Sequence, residues 1–427
     1  LRGFGFGSYG RVGVGTDMLG STARAVSVVT HAPRIVEGPY IELDLDYDVP
    51  VEGPWAIRTT TTLALLEDLF HYSGDFSSML ALRNAFVSFV WNDTVEVWAG
   101  SRMYRGDDIY LLDYWPLDNL NTLGGGVGLR LDRFELRFHA GANRLADDFS
   151  FQEVDVSGRL FGAERVVLMD RQRTIASLGA SYRLLGEPAG PALKLKVYFE
   201  LHHLAAGTLR YEDRTTEVLP EDFGWVGGLQ LGGWGFGDRL THVNLFFRFG
   251  QGLGAFNEMA IPFGFDADKR TFPRAREILF GLSANYERGI FGVVGGGYLR
   301  SFADADPNLY DTDDGWEFVI DVRPYVVLWG PFQAAVDLSY QQRFPTGMSP
   351  TALEVLDPAI FQLAPMLIFA PLGPGTYSRP HLRVVYRLAF LNEGALDLYP
   401  AEDPRHDEQL VHYLGVQVEW WFNSSYR

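Results

Sequence analysis

Apolar and polar residues alternate along most of this chain, and a period of two restricts it to β-strands that are wet on one face. From Tyr40 the sequence reads Tyr-Ile-Glu-Leu-Asp-Leu-Asp-Tyr. Ile41, Leu43, Leu45 and Tyr47 share one face of such a strand, and Tyr40, Glu42, Asp44 and Asp46 share the other. Three carboxylates on one face need water, because neither hydrocarbon nor a packed apolar core accepts them. The same pattern sets Phe134, Leu136, Phe138 and Ala140 against Glu135, Arg137 and His139. It sets Leu193, Leu195, Val197 and Phe199 against Lys194, Lys196, Tyr198 and Glu200. It returns at Leu414, Val416, Val418, Trp420 and Phe422, opposed by Gly415, Gln417, Glu419 and Trp421. Helical periodicity is weak, and its best stretch is Leu63–Leu69 with Glu67 and Asp68.

The connections fit antiparallel hairpins. Asp132-Arg133 is a two-residue turn between Val127–Leu131 and Phe134–Phe138. Gly186–Pro191 and Glu287-Arg-Gly289 make further short links, whereas 302–316, 341–358 and 391–409 are long and polar. Short turns alternating with long loops suit a membrane barrel, with Trp91, Trp98, Trp316, Trp329 and Tyr386 near strand ends as interfacial aromatics. A soluble sandwich or propeller also alternates, but no fixed-period repeat of the propeller kind is present. No run of 18 apolar residues provides a membrane helix. Leu1 opens directly into Gly-aromatic sequence, without the charged and apolar regions of a secretory signal. At about 9–11 residues per spanning strand, the chain holds roughly 16–18 strands.

Composition narrows the chemistry. With no cysteine, disulfides, zinc-thiolate sites and thiol nucleophiles are excluded. A net charge of −18 argues against a nucleic-acid partner and, in a barrel, fits a polar lumen that tolerates cations. Gly5-Phe-Gly7-Ser-Tyr-Gly10 matches a dinucleotide-loop pattern but lacks the preceding strand and following helix. His202 and His203 are adjacent, so a strand points them to opposite faces, away from one shared metal. The acidic run Asp304, Asp306, Asp311, Asp313 and Asp314 departs from the EF-hand pattern and reads as a solvated external loop. No serine sits in a nucleophile elbow. No catalytic residue, cofactor or metal is assigned.

Several blocks resemble the maltoporin family, in that family's order. They are Phe6-Gly-Ser-Tyr9-Gly-Arg11-Val-Gly13; Arg34 followed by Tyr40-Ile-Glu42-Leu; and Leu82-Arg83-Asn84-Ala85. The most specific runs from Trp98-Ala-Gly-Ser-Arg102-Met-Tyr104 into Asp107-Asp108-Ile-Tyr-Leu-Leu-Asp113-Tyr-Trp115. Arg323-Pro-Tyr, Tyr377-Ser-Arg379-Pro-His-Leu-Arg383-Val and Gly415-Val-Gln-Val-Glu419-Trp-Trp-Phe422 complete the set. The resemblance covers the first third and last quarter, and the middle follows in pattern alone.

That resemblance implies an all-β, 18-stranded transmembrane antiparallel barrel forming one domain over 1–427. It further implies an infolded constriction loop near 102–122, a subunit-latching loop near 66–82, and a homotrimer in the bacterial outer membrane among its lipid and lipopolysaccharide. The implied function is passive, partly selective diffusion of maltose- or maltooligosaccharide-like sugars. An aromatic slide would use Tyr9, Tyr40, Tyr377 and Trp421. A charged track and constriction would use Arg11, Arg34, Glu42, Arg83, Asp108, Asp113, Tyr114 and Trp115. Parity alone puts Tyr40 and Trp421 on the wet face, where an aromatic needs a reason to be.

The sequence also departs from the family. Gly106 stands where the family has an arginine, with Arg105 one position earlier. Trp115 takes the place of a tyrosine, beside Tyr114, and Tyr377 that of a tryptophan. Phe70, Tyr72 and Phe76 are candidates for an aromatic donated by a neighbour. The middle-strand phenylalanine falls near Leu245–Phe247, and the tail Asn423–Arg427 follows the terminal aromatic. A general diffusion porin, a porin for another polar solute, and a barrel enzyme or adhesin remain the other readings of the residues.

Overall fold

The computed structural model describes residues 3–66, 69–74, 79–157, 162–187, 190–237, 240–257, 271–305 and 309–424. The first strands are β1 (Gly3–Thr16), β2 (Tyr40–Val49), β3 (Trp55–Leu66), β4 (Met79–Trp91), β5 (Val95–Arg105), β6 (Asn119–Arg130) and β7 (Phe134–Asn143). An external hairpin, β8 (Phe151–Ser157) and β9 (Ala163–Asp170), precedes β10 (Arg173–Gly186) and β11 (Ala192–Leu204). A second, β12 (Gly207–Arg210) and β13 (Thr216–Leu219), precedes β14 (Asp222–Trp234) and β15 (His242–Gly252). The rest are β16 (Arg276–Arg288), β17 (Phe291–Ala303), β18 (Gly315–Trp329), β19 (Phe332–Pro345), β20 (Ala359–Phe369), β21 (His381–Leu391) and β22 (Leu410–Phe422).

Without the two hairpins, these strands form one 18-stranded antiparallel sheet, and β1 pairs with β22 to close it. Closure satisfies every strand edge, the condition for crossing lipid with strands. The alternation read from sequence becomes inside and outside. On β11, Leu195, Val197, Phe199 and Leu201 are exposed, while Tyr198, Glu200 and His202 are buried toward the lumen. Exposed Phe4, Trp55, Trp91, Phe291, Trp329 and Phe422 gather at the short-turn rim. Trp98 differs from expectation: it is 3% exposed and faces inward, stacked on His139 and Tyr104 with centroids 5.4 and 6.1 Å away. Gly126 makes this possible, since a Cβ there would fall 2.5 Å from the Trp98 indole nitrogen.

Turns on one rim are short. Asn92 and Asp93 adopt positive φ between β4 and β5, and Gly289 does so between β16 and β17. The exception is 370–380, between β20 and β21, which enters the lumen. Residues Leu63–Leu66 extend β3, correcting the helical reading; β-pairing with Met79–Leu82 outweighs the local periodicity. Helix begins only at α1 (Phe70–Ser73). Glu67, Asp68, Phe76 and Asp306 lie outside the described residues, as do 188–189 of the Gly186–Pro191 link and 425–427 of the tail.

Candidate functional site

Two segments fold into the barrel from the loop side. The first, 106–118, leaves β5 at Gly106, whose amide donates to the Asp118 carbonyl at 3.0 Å. A side chain there would strike the Asp118 carboxylate, so glycine permits the narrow base. The segment turns through a 3-10 helix at Tyr110–Leu112 and a left-handed Asp113. It stays inside because Ile109, Leu112, Tyr114 and Leu117 pack on inward-facing Tyr198, Phe246, Leu279, Tyr298 and Val319. Those wall residues are apolar positions of the inner face, and burying them against the loop removes apolar area from water.

Sequence reading missed the second segment. Val26, Val28 and Val29, between β1 and β2, join the same apolar cluster. The Val28 amide donates to Gln341 at 2.9 Å, that of His31 to the Tyr298 hydroxyl at 3.0 Å, and that of Arg34 to the Leu111 carbonyl at 2.9 Å. The valines of Val26-Ser-Val28-Val29, before the alternation that starts at Tyr40, were the available signal.

Register gathers the proposed slide and track. Tyr9 lies between Glu42 and Trp421, and Arg11 between Tyr40 and Glu419. The Tyr9 ring is 6.0 Å from Tyr40 and 6.4 Å from Trp421, nearly parallel to the latter. Tyr110 extends the row, 6.5 Å from Trp421 and 5.3 Å from Tyr377. Tyr9 is fully covered, whereas Trp421 and Tyr377 are partly exposed.

The charged residues largely pair with one another. Arg11 reaches Asp113 at 3.2 Å and Glu37 at 3.4 Å. Arg34 reaches Glu37, Asp113 at 3.7 Å and Glu419 at 3.6 Å. Arg83 bonds Glu42, and the guanidinium groups of Arg11 and Arg83 lie 5.3 and 5.6 Å from the Tyr40 ring centre. Glu419, buried, also accepts from Tyr9, Tyr110, Arg379 and Arg383. Tyr114 is placed elsewhere: it is buried against His31, ring centres 3.7 Å apart, on the wall side of the loop.

Beside this network lies a lumen cavity of ≈ 630 Å³. Trp115, Trp234, Tyr377 and Trp421 give it flat apolar walls, and Arg105, Asp107, Asp108, Lys194, His242 and Asn244 give it donors and acceptors. The Arg105 guanidinium lies 3.8 Å from the Trp115 ring centre. Lys194 bonds Asp107, and Lys196 bonds Asp118 at 2.6 Å, tying loop to wall. Asp108 and Trp115 thus line the cavity, while Arg11, Arg34, Glu42, Arg83 and Asp113 form the adjoining charge network. Trp234, which lies inside by strand parity, was not singled out from sequence.

A closed barrel with an apolar outer band, a charged lumen and an infolded constricting loop defines an outer-membrane channel of the porin class. The family model described as LamB porin matches residues 4–422, and the chain belongs to that family. Its place is accordingly the bacterial outer membrane, crossed by the strands of the barrel. No curated protein matches the chain in sequence. Among solved structures it is similar to the outer membrane channel DcaP of Acinetobacter baumannii, at 8% identity and TM-score 0.49, covering 98% of each chain. It is also similar to OccAB1 of the same organism, at 10% identity and TM-score 0.48, covering 98% of this chain and 96% of that one. A third, Pseudomonas aeruginosa OpdK with vanillate, has 10% identity and TM-score 0.43, covering 98% of each.

Proposed function

We propose that this porin conducts sugars of the maltose and maltooligosaccharide type by passive, partly selective diffusion, without catalysis. The observation that carries the reading is the ≈ 630 Å³ cavity, where four aromatic side chains share one lumen space with charged and amide groups. Sugar rings present C–H faces that stack on aromatics and hydroxyl edges that pair with charged side chains. Transport requires such contacts to remain weak and multiple, so that solute leaves as readily as it enters. The constriction network built from Arg11, Arg34, Glu42, Arg83 and Asp113 limits the width beside the cavity. The reading includes a homotrimer, as the family resemblance implies, latched by the segment near 66–82 and set among lipid and lipopolysaccharide. Residues 67–68 and 75–78 of that segment lie outside the described residues.

A second reading, a porin for small charged solutes, is favoured by the turn-side mouth. A cavity of ≈ 490 Å³ there is lined by Asp46, Asp48, Asp93 and Glu96 together with Arg58, Arg102 and Arg130. Ion current through planar bilayers, titrated with maltose, maltotriose and unrelated sugars, separates the two. Saturable block by maltooligosaccharides is expected. Current that no sugar closes overturns the sugar reading and leaves the second.

A further inference from the structure

The segment 370–380 departs from its short neighbours on the same rim. It enters the lumen and is fixed there by Thr376, whose amide donates to Glu287 at 2.8 Å and whose hydroxyl donates to Asn285 at 2.9 Å. Three residues later its Arg379 side chain, 1% exposed, lies just before β21 against Glu419 of the neighbouring β22. Its Nε and Nη2 donate to one Glu419 oxygen at 3.2 and 2.9 Å. Nη2 also donates to the Tyr110 hydroxyl, and Nη1 to the carbonyls of Thr376 and Ser378. The guanidinium lies over the Trp421 indole, its carbon 4.0 Å from the ring centre.

We propose that Arg379 is a positioning residue of the channel: it sets the indole plane of Trp421 and ties the turn-side segment to the tip of the constriction loop. The inference rests on the sugar-stacking reading of Trp421. A guanidinium is suited to this task because one planar group stacks on an aromatic while its edge donates to several acceptors. A lysine keeps the charge but has neither plane nor fork. Held by Arg379 and stacked near Tyr9, Trp421 still lines the ≈ 630 Å³ cavity. Arg383 supplies the comparison. It bonds the same Glu419 oxygen at 3.4 Å.

The test compares Arg379→Lys, Arg379→Met and Arg383→Lys, each checked for folding by heat-modifiable gel migration. In planar bilayers titrated with maltotriose, Arg379→Lys is expected to raise the half-blocking concentration about three- to tenfold. Faster sugar release should account for it, with noisier open-channel current. Arg379→Met should do the same, and Arg383→Lys should change the block less. Equal effects of Arg379→Lys and Arg383→Lys, or none, overturn the proposal, since charge balance around Glu419 would then suffice. Should one Arg379 variant fail to fold, the other decides. If maltotriose does not block the unsubstituted channel, the sugar reading fails, and near-UV circular dichroism then judges Arg379. The signal that Trp421→Phe removes should also vanish in Arg379→Lys, and its retention overturns the proposal.

Discussion

At the residue scale, strand parity was the most informative signal. It put Tyr40 and Trp421 on the wet face, and both lie there, one beside the charge network and the other beside the cavity. Parity could not show that Tyr9 is fully covered, because Arg34 and Glu419 reach it from distant parts of the chain. Nor could it place Tyr114 inside the apolar cluster, since alternation does not govern an infolded loop. Trp421→Ala removes a stacking face and should raise the half-blocking maltotriose concentration about three- to tenfold, given that stacking on one aromatic contributes about 0.5–1.5 kcal/mol. Multichannel conductance titration measures it. An unchanged blocking constant would remove Trp421 from the slide.

At the scale of elements, the strands were legible because each carries its own period. The two infolded segments were not, since their seats are made by distant strands. Ile109 is held over Gly296, where an added Cβ would lie 2.5 Å from its Cγ2. Gly296→Val should therefore push the loop tip off the wall into the lumen, cost about 1–3 kcal/mol in overpacking, and lower unitary conductance. Thermal unfolding and single-channel recording test both parts; normal conductance with normal stability sinks the argument. The acidic external loop has a different lever. Asp304, Asp311 and Asp313 converge there, with Asp314 beside them. Burial, and then a hydrogen bond to Asp313, push the Asp311 carboxyl up to about 7. A raised carboxyl stabilises the folded loop in its protonated form. That contribution is full below about pH 4 and is lost as pH rises through about 7. Hydrogen exchange of residues 309–314, corrected for intrinsic rate, should be faster at pH 8 than at pH 5. Equal protection at both values would refute this.

For the whole molecule, length and turn spacing bounded the strand number, while closure came from the register of β1 with β22. The lumen is narrowed by two inward segments on the loop side rather than one. Val28→Asp with Val29→Asp should expel the segment between β1 and β2 by burying charge in the apolar cluster. Larger unitary conductance with retained heat-modifiability is expected; unaltered conductance would mean that the segment does not limit flow. The proposed trimer belongs to this scale too, and light scattering in detergent should return about three times the 47.9 kDa chain mass.

The pairing of β1 with β22 differs from the others in one respect. Elsewhere a barrel strand pairs with the barrel strand next along the chain, whereas Tyr9 meets Trp421 from opposite ends of the sequence. Hairpins can zip progressively with little loss of chain entropy, but this last junction must be found across almost the whole polypeptide. The aromatics of the proposed slide at this seam, Tyr9, Tyr40 and Trp421, therefore come together only when the cylinder shuts. A barrel arrested one step earlier would have two bare edges and no assembled slide.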